Sequence, residues 1–434
     1  MPRTSRSFPI ADNQKFKDAV LEWTRGYEKV VWLDSNGHVD KFSSVNAIVA
    51  VSRQTNGSVF ETNNIDKTQE FIDKERDWLF GFITYDFKNK LESLKSKNPD
   101  HLHFPELYFF CPEKIIFLKE DVAEFHYLES CKNEMEDDFL NLVQETETKL
   151  DFPSKGIRIQ MRIHKDSYFE KVNSMLAHIH RGDIYEANFC QEFYSSESVI
   201  EPWSTYRNLN KISQPPFATF LRLQDKYLLC ASPERYLKRK KGRIVSQPIK
   251  GTAKRDTTRE KDEILKMELA KNPKERAENI MITDLVRNDL SKSALKGSVT
   301  VDELCKVYTY KQVHQMVSTV TAEISETTPS IEIIKQTFPM GSMTGAPKVS
   351  AMKLIEDLEE SKRGLYSGTV GYFDPNGDFD FNVVIRSILY NATKKYVSYS
   401  VGSAITAQSI PEKEYEECLI KAKAMRSVLE GENS

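Results

Sequence analysis

A single lysine, Lys250, stands beside a glycine-threonine step in the stretch SQPIKGTAKR, residues 246–255. Gly251 allows the backbone to come close to whatever Thr252 faces, because glycine carries no side chain. A lysine placed there can point into a cleft, where it would act as a nucleophile or hold an anion. The alternative is a solvated charge on a basic hairpin, since several lysines and arginines lie at residues 238–243.

A carboxylate falls inside the apolar stripe of a predicted helix. Asn272 and Pro273 indicate the N-cap and first turn of this helix. Glu278 shares its face with apolar residues, and leaving that charge buried and unpaired would cost several kcal/mol. An ordinary ion pair with Arg276 or Arg287 is one solution, and a metal ion is another.

The C-terminal segment repeats this pattern. Glu414, Glu417 and Lys421 lie along one face of a predicted helix that ends at Gly431. The plain interpretation is an exposed ion pair one helical turn apart. The alternative is one Mg²⁺ held by carboxylates from two helices, with waters and a substrate carboxylate completing six oxygens.

Two segments rich in small residues and one arginine are candidates for binding anions. Residues 339–348 (PMGSMTGAPK) predict a turn that opens a helix, which suits an anion or is simply structural. Gly402 to Ala404 predict a similar bend after a strand over residues 396–401. Arg386 lies in a predicted strand over residues 383–389, either paired structurally or reaching for a carboxylate.

Composition excludes several classes of protein. The chain has 434 residues, and 61 Lys plus Arg against 64 Asp plus Glu give a net charge of −3, which argues against a dedicated nucleic-acid binder. The six cysteines are scattered without a Cys-x-x-Cys pair, as expected for free thiols in a reducing cytoplasm. No apolar run reaches membrane-spanning length and no signal peptide is expected.

The strand-like runs of the first part are joined by polar turns, which favours an antiparallel sheet over a doubly wound parallel one. A charged helix is predicted over residues 134–150, and residues 152–156 predict a linker. We therefore divide the chain into residues 1–155, which contribute strands to a shared core, and residues 156–434, which form the catalytic part.

Six ordered motifs together resemble the chorismate-utilising enzymes, the family of anthranilate synthase and aminodeoxychorismate synthase large components. They are GDIYEANFCQ (182–191), ASPERYL (231–237), SQPIKGTAKR (246–255), AENIMITDLVRNDL (277–290), FPMGSMTGAPK (338–348) and YEECLIKAKA (415–424). The resemblance implies an α+β fold, a layered αββα sandwich of two large antiparallel sheets flanked by helices.

The resemblance also implies a mechanism. Lys250 would add to C2 of the chorismate ring while Glu234 protonates the departing C4 hydroxyl, and ammonia from a separate glutamine amidotransferase subunit would then expel the lysine. Lys250 must be unprotonated and Glu234 protonated for this chemistry. Glu278 and Glu417 are the implied ligands of Mg²⁺, with Glu275 and Glu414 as water-mediated ligands.

Further roles are implied by position in the motifs. Gln191 argues against the isochorismate and salicylate branch of the family, which the resemblance implies would carry a lysine there. Leu33-Asp34-Ser35 resembles a tryptophan-pocket segment, for which a buried vestigial pocket and plain core packing of Leu33 both stay open. The full set of implied substrate-binding residues is Gln191, Gly251, Thr252, Thr344, Gly345, Tyr366, Arg386, Gly402 and Lys421.

Lys250 decides between the branches, because anthranilate synthases carry alanine there. The resemblance therefore favours amination to 4-amino-4-deoxychorismate, a reaction grouped with transamination, on the way to p-aminobenzoate and folate. Anthranilate synthesis is the first alternative, and a non-catalytic regulatory protein that binds chorismate or tryptophan is the second. The second rests on three departures from the family: Gln315 in place of a histidine, and Met340 and Ala404 in place of glycines.

Overall fold

The computed structural model describes residues 2–38, 41–42, 45–53, 59–62, 64–144, 156–311 and 313–431. Within these ranges the chain forms two antiparallel sheets and eleven α-helices. The helices are α1 (Asn13–Trp23), α2 (Asp66–Glu75), α3 (Lys88–Leu91), α4 (Met135–Gln144), α5 (Lys165–Arg181), α6 (Pro202–Ser213), α7 (Arg259–Lys271), α8 (Pro273–Ser291), α9 (Ser330–Thr337), α10 (Lys348–Leu358) and α11 (Pro411–Glu430).

The described residues contain 22 strands. They are β1 (Arg3–Pro9), β2 (Lys29–Asp34), β3 (Ala47–Ser52), β4 (Val59–Glu61), β5 (Leu79–Ile83), β6 (Leu107–Phe110), β7 (Lys114–Leu118), β8 (Val122–Leu128), β9 (Gln160–Met161), β10 (Glu186–Ser195), β11 (Phe217–Leu223), β12 (Lys226–Ser232), β13 (Arg235–Lys240), β14 (Arg243–Gln247), β15 (Ile249–Lys254), β16 (Thr300–Thr309), β17 (Val313–Glu323), β18 (Gly345–Ala346), β19 (Thr369–Phe373), β20 (Phe379–Asn382), β21 (Ser387–Asn391) and β22 (Tyr396–Thr406).

The first sheet has twelve strands in the order β1-β8-β7-β3-β2-β11-β12-β21-β22-β10-β18, with β9 beside β10. The second has ten strands in the order β15-β17-β14-β13-β20-β19-β5-β6-β4, with β16 beside β17. The predicted fold of two large antiparallel sheets with flanking helices is confirmed. Both sheets contain strands from either side of residue 155. Residues 152–155 of the predicted linker at residues 152–156 lie outside the described residues, so that boundary stays a prediction.

Two apolar clusters hold the layers together. One packs α1, α5, α6 and α11 onto the first sheet, and Phe189 and Phe193 of β10 belong to it. The other contains residues of both sheets together with α8 and α9, and Cys190 of β10 belongs to that one. Because side chains alternate along a strand, β10 faces the helices with one set of residues and the second sheet with the other.

Both helices predicted to carry the functional carboxylates are present, and the start of α8 and the end of α11 lie where the sequence predicts them. Asn272 caps α8, and its side chain accepts hydrogen bonds from the backbone N–H groups of Lys274 at 3.0 Å and Glu275 at 3.2 Å. Gly431 ends α11 with a φ of 74°, a left-handed conformation that favours glycine. These ends fix which side chains of α8 and α11 face the sheets.

Two local predictions were wrong. Arg386 does not lie in a strand; it follows β20 and precedes β21 with a φ of 52°, so its backbone is left-handed. Gly402 to Ala404 do not form a bend, since they continue β22, where Gly402 pairs with Cys190. A Cβ at Gly402 would meet Cys190 Sγ at 2.5 Å, so close strand packing explains that glycine. Ala404 has no positive φ and carries no backbone strain.

All six cysteines are buried and unpaired, which confirms the prediction of free thiols. None of the helices in the described part of the chain combines the length and the apolar character needed to cross a membrane.

Candidate active site

Lys250 lies where strand pairing is interrupted. The pairing of β15 with β17 slips between Ile249 and Thr252, and Gly251 has a φ of 93°. Such an irregularity redirects a side chain away from the regular alternation. The Lys250 side chain is 11% exposed, and its Nζ lies 3.0 Å from Glu186 Oε1. The alternative of a solvated charge on a hairpin is therefore excluded.

Glu186 is the functional candidate that the sequence analysis missed. It begins β10, its side chain is 1% exposed, and Oε2 is buried without a hydrogen-bond partner in the described part of the chain. It belongs to the motif at residues 182–191, from which we selected Gln191 instead. Strand alternation was the available signal, because Glu186 and Cys190 are even-numbered and share the face toward the second sheet.

Four other carboxylates act on the charge of Lys250. Burial lowers the pKa of Lys250, but the nearby carboxylates of Glu186, Glu278 and Glu234 outweigh it, and the pKa is raised overall. The free protein therefore holds Lys250 as an ammonium, so the unprotonated lysine that the reaction requires is not its resting form. Attack on a substrate requires that this proton leaves first. The four carboxylates other than Glu186 are Glu234, Glu275, Glu278 and Glu417.

Glu234 has the properties predicted for an acid. Its side chain is buried, and Ser342 Oγ donates a hydrogen bond to Glu234 Oε1 at 2.7 Å. Burial raises the pKa of Glu234 to about 7, although the Ser342 hydrogen bond and the Lys250 charge pull it down. A carboxyl group with such a pKa is partly protonated near neutrality and can donate a proton.

Arg386 carries a guanidinium that no other side chain in the described part of the chain engages by a hydrogen bond or ion pair. Burial lowers the pKa of Arg386, and the carboxylate of Glu234 opposes that shift. A guanidinium presents a planar fork of donors that matches a carboxylate. Arg386 is therefore available to bind a substrate carboxylate near Glu234.

Carboxylates of α8 and α11 converge on a single lysine of α8. Lys274 Nζ lies 3.7 Å from Glu278 Oε1 and 3.5 Å from Glu414 Oε1. Glu278 Oε1 is buried without a hydrogen-bond partner in the described chain, and burial raises the pKa of Glu278 to about 7. The negative charge of Glu278 is thus only partly compensated. The predicted ion pairs of Glu278 with Arg276 or Arg287 do not form, since Arg287 bonds Asp284 and Arg276 bonds a backbone carbonyl.

Glu417 is paired within its own helix. Lys421 Nζ lies 2.6 Å from Glu417 Oε1 and also donates to the Gly402 carbonyl at 2.8 Å. Burial raises the pKa of Glu417, but the charge of Lys421 outweighs it and the pKa is lowered overall. Burial raises the pKa of Glu275, and the negative charge of Glu417 adds to that rise, which places these carboxylates within electrostatic reach of each other.

The carboxylates of α8 and α11 fit a Mg²⁺ ion that keeps several waters. No group of three or more His, Cys, Asp or Glu side chains converges at ligand distance within the described ranges, so the protein would contribute no more than two direct ligands of these kinds at one point. Mg²⁺ commonly keeps several waters and uses one or two carboxylates. Glu278 Oε1, which accepts no hydrogen bond in the described chain, is a hard oxygen donor that fits that mode.

The remaining predicted substrate-binding residues are placed differently. Gln191 shares the face of β10 with Phe189 and Phe193, toward the helices and away from Lys250. Its Oε1 and Nε2 are buried without a hydrogen-bond partner in the described chain, and its contact with substrate stays a prediction. Tyr366 is buried with its hydroxyl 3.7 Å from Cys190 Sγ. Thr252 is exposed on β15.

The small-residue segment at residues 339–348 packs against the start of β10, the strand that carries Glu186. Gly345 pairs with Ala187 of β10, and a Cβ there would overlap the Glu186 carbonyl oxygen. The Thr344 hydroxyl is buried and donates to the carbonyl groups of Met340 and Gly341. These residues therefore fix the strand that carries Glu186, and the structure supplies no exposed anion cradle from the Thr344 side chain.

Gln315 and His314 face opposite sides of β17. The Cα of Gln315 pairs with that of Thr252, and its Oε1 is buried without a partner in the described chain. His314 is fully buried, with Nε2 3.0 Å from Asp262 and Nδ1 3.0 Å from the Thr309 hydroxyl. His314 is committed to packing α7 on the sheet and does not replace a histidine at position 315.

The carboxylate of the tryptophan-pocket-like segment, Leu33-Asp34-Ser35, is paired with other residues of the chain. Asp34, at the end of β2, accepts hydrogen bonds from Lys17 Nζ at 2.6 Å and from the Asn36 backbone at 2.8 Å. Both members of the ion pair are buried. The carboxylate is already neutralised inside the chain, and whether Leu33, Asp34 and Ser35 bind tryptophan stays a prediction.

Comparison with known proteins gives this site a context. Residues 26–427 match the family described as chorismate binding enzyme. The chain is 32% identical over 391 residues to aminodeoxychorismate synthase component 1 of Bacillus subtilis, covering 86% of this chain and 81% of that protein. It is 32% identical over 401 residues to anthranilate synthase component 1 of Aquifex aeolicus, covering 86% and 80%. It is 40% identical over 273 residues to aminodeoxychorismate synthase of Streptomyces griseus, covering 63% of this chain and 37% of that protein.

Solved structures of the same architecture support the fold. Anthranilate synthase component I of Streptococcus pneumoniae superposes with a TM-score of 0.73 at 23% identity, covering 98% of this chain and 93% of that one. The menaquinone-specific isochorismate synthase of Escherichia coli superposes with a TM-score of 0.76 at 16% identity, covering 99% and 95%. At such identities the likeness concerns the fold alone. With the match over residues 26–427, the chain belongs to the family of chorismate binding enzymes.

Proposed function

We propose that this chain aminates chorismate to 4-amino-4-deoxychorismate as the large component of an aminodeoxychorismate synthase, in the route to p-aminobenzoate and folate. The observation that carries the proposal is the buried lysine, Lys250, whose Nζ is directed to Glu186 inside the site. A lysine that is almost fully buried has a role other than solubility. The relatives named aminodeoxychorismate synthase support the same choice.

In the proposed reaction, Lys250 acts at C2, one end of the conjugated diene of the ring, and Glu234 acts at C4, the carbon next to its other end. Lys250 Nζ bonds to ring C2, the double bonds shift, and the C4–O bond breaks as Glu234 donates its proton, so that water leaves. Ammonia then bonds to C4, the double bonds return, and the C2–N bond to the lysine breaks. The raised pKa of Glu234, about 7, suits a proton donor near neutrality.

Residues around Lys250 and Glu234 would bind the charged groups of the substrate. Arg386 would bind the enolpyruvyl carboxylate, because its guanidinium has no other partner in the described chain. Glu278 and Glu417 would hold Mg²⁺, with Glu275 and Glu414 reaching it through water. When bound, the ion would fix the ring carboxylate and draw electron density from the ring.

We further propose that ammonia is delivered by a separate glutamine amidotransferase subunit. The sequence contains no glycine-rich nucleophile elbow around Cys190, and Cys190 is buried in the core, where burial raises its pKa to about 12. A thiol with that pKa is a poor nucleophile for glutamine hydrolysis. Free ammonium should therefore replace the partner in vitro.

The test is turnover of chorismate with Mg²⁺ and ammonium at mildly alkaline pH, with products separated by chromatography. Wild type should form aminodeoxychorismate, whereas Lys250→Ala should lose that product. Lys254→Ala removes an exposed lysine from the same strand and should behave as wild type. Anthranilate as the wild-type product would instead favour the second candidate, which the similarity to anthranilate synthase component 1 keeps open. Binding of chorismate without turnover would favour a regulatory protein.

A further inference from the structure

Lys250 and Glu186 form a close buried pair that the proposed reaction leaves unexplained. The Nζ to Oε1 distance is 3.0 Å, and the two side chains are 11% and 1% exposed. Glu186 Oε2 has no hydrogen-bond partner in the described chain, although it is buried. A buried carboxylate with one free oxygen is costly as a purely structural element, because its charge is only partly compensated.

The other charged groups around Lys250 cannot remove its proton directly. Glu234 precedes β13, Glu275 and Glu278 lie on α8, and Glu417 lies on α11. None of them comes within hydrogen-bonding distance of Nζ, and each negative charge favours the ammonium. Within the described residues, Glu186 is the one acceptor in hydrogen-bond contact with Nζ.

We infer that Glu186 is the proton acceptor for Lys250, taking a proton from its ammonium before the amine attacks chorismate and returning it when the lysine departs. The inference rests on the proposed function, since only a nucleophilic lysine needs this exchange. A buried carboxylate with an oxygen 3.0 Å from the nucleophilic nitrogen has the geometry of a general base. Glu186 touches the reacting nitrogen and is in that sense catalytic.

The proton and electron balance closes over the cycle. The Lys250 ammonium gives one proton to the Glu186 carboxylate, which leaves a neutral amine and a neutral acid. The amine lone pair forms the bond to C2, and the adduct nitrogen loses a second proton to solvent, from which Glu234 recovers the proton that it gave to the departing hydroxyl. When ammonia bonds to C4, the C2–N bond electrons return to Nζ, which regains one proton from Glu186 and one from the incoming ammonium nitrogen.

A competing interpretation is that Glu186 only holds Lys250 in place as an ammonium. Glu186→Gln separates the two, because glutamine keeps the size and a hydrogen-bond acceptor but takes up no proton near neutrality. If Glu186 is the proton acceptor, Glu186→Gln should lower kcat by about 100-fold near neutral pH, with KM for chorismate little changed. If it only holds the ammonium, Glu186→Gln would free the amine and turnover would be equal to wild type or faster.

The pH profile provides a readout that a structural role would not move. In Glu186→Gln the lysine must lose its proton to water, so the ratio of its kcat to the wild-type kcat should rise with pH by up to about tenfold per unit toward the pKa of Lys250. The ratio removes the fall above the pKa of Glu234, which both enzymes share. Glu186→Asp keeps an acceptor, so its kcat should be reduced by a factor that does not change with pH.

Glu192→Gln is the matched control. Glu192 is a buried carboxylate on the same strand and face, but it pairs with Arg162 at 3.1 Å and with the Tyr396 hydroxyl at 2.9 Å. Its replacement should leave the shape of the pH profile unchanged. Melting temperatures of all variants show whether a loss of rate reflects loss of fold.

A second measurement does not depend on turnover. Competitive labelling of lysines with an amine reagent, quantified for the Lys250 peptide, gives the pKa of Lys250 in the free protein. Removal of the Glu186 charge should move the labelling curve to lower pH, whereas Glu192→Gln should not. An unshifted curve overturns the pairing, and a Glu186→Gln enzyme with the wild-type rate and pH profile overturns the proton transfer. A wild type that makes no aminodeoxychorismate refutes the proposed function itself, whatever the labelling gives.

Discussion

Removing the hydroxyl of Ser342 should extend turnover to higher pH. Ser342 Oγ donates to Glu234 Oε1 at 2.7 Å, and both side chains are buried. A hydrogen bond to a charged group contributes about 1.5–3 kcal/mol, and one pKa unit corresponds to about 1.36 kcal/mol. In Ser342→Ala the pKa of Glu234, about 7 in wild type, should therefore rise by about one to two units.

The sign of the activity change follows from the role of Glu234 as an acid. Its protonated form is the active one, so the activity that it supports is present below its pKa and lost above it. A raised pKa moves the basic limb of the kcat/KM profile for chorismate upward by the same amount. The assay spans about pH 6 to about pH 10 at a fixed concentration of unprotonated ammonia, so that only the enzyme titrates.

Ser246→Ala is the control for this prediction. Ser246 is also a buried serine, but its hydroxyl donates to the neutral carbonyl of Tyr236 at 2.6 Å. Its loss should leave the basic limb where it is in wild type. A basic limb in Ser342→Ala that stays in place, or moves to lower pH, would show that Glu234 is not the acid of the reaction.

Three other substitutions test separate parts of the structure. Lys17→Met breaks the buried ion pair with Asp34 and should lower the free energy of unfolding, measured by urea titration, by about 3–5 kcal/mol. Adding Asp34→Leu should restore much of that loss. Equal stability of the single variant and wild type would contradict this. Gly402→Ala should cost about 1–3 kcal/mol, because the added methyl meets Cys190 Sγ, and an unchanged melting temperature would refute that crowding. Arg386→Gln should raise KM for chorismate by about tenfold or more, while Arg386→Lys recovers part of the loss; an unchanged KM would remove Arg386 from the carboxylate site.

Helix ends and motif positions could be predicted from the sequence because their causes are local. Asn272 and Gly431 mark the helices that carry the metal-binding candidates, and the structure confirms both ends. Gly251 indicated an irregular backbone beside Lys250, which made a lysine directed into a cleft one of its two alternatives. These features depend on a few neighbouring residues and elementary backbone chemistry.

The contacts across the two sheets could not be predicted, because they depend on register between distant strands. Glu186 meets Lys250 only through the pairing of β10 with β18 and β22 and the slip in β15. Arg386 follows β-branched residues that are typical of a strand, yet the chain turns there so that β21 can pair with β12. Gln191 was assigned to the site from its motif, but strand alternation directs it to the helices.

The most direct test of the central claim is a search for a covalent adduct on Lys250. Enzyme with Mg²⁺ and chorismate, but without ammonia, is quenched and digested, and the peptide that contains Lys250 is weighed by mass spectrometry. We expect a mass increase equal to chorismate less one water on that residue, absent in Lys250→Ala and lost when ammonium is added before quenching. An unmodified Lys250 in an enzyme that still forms aminodeoxychorismate at its normal rate would contradict the nucleophilic role.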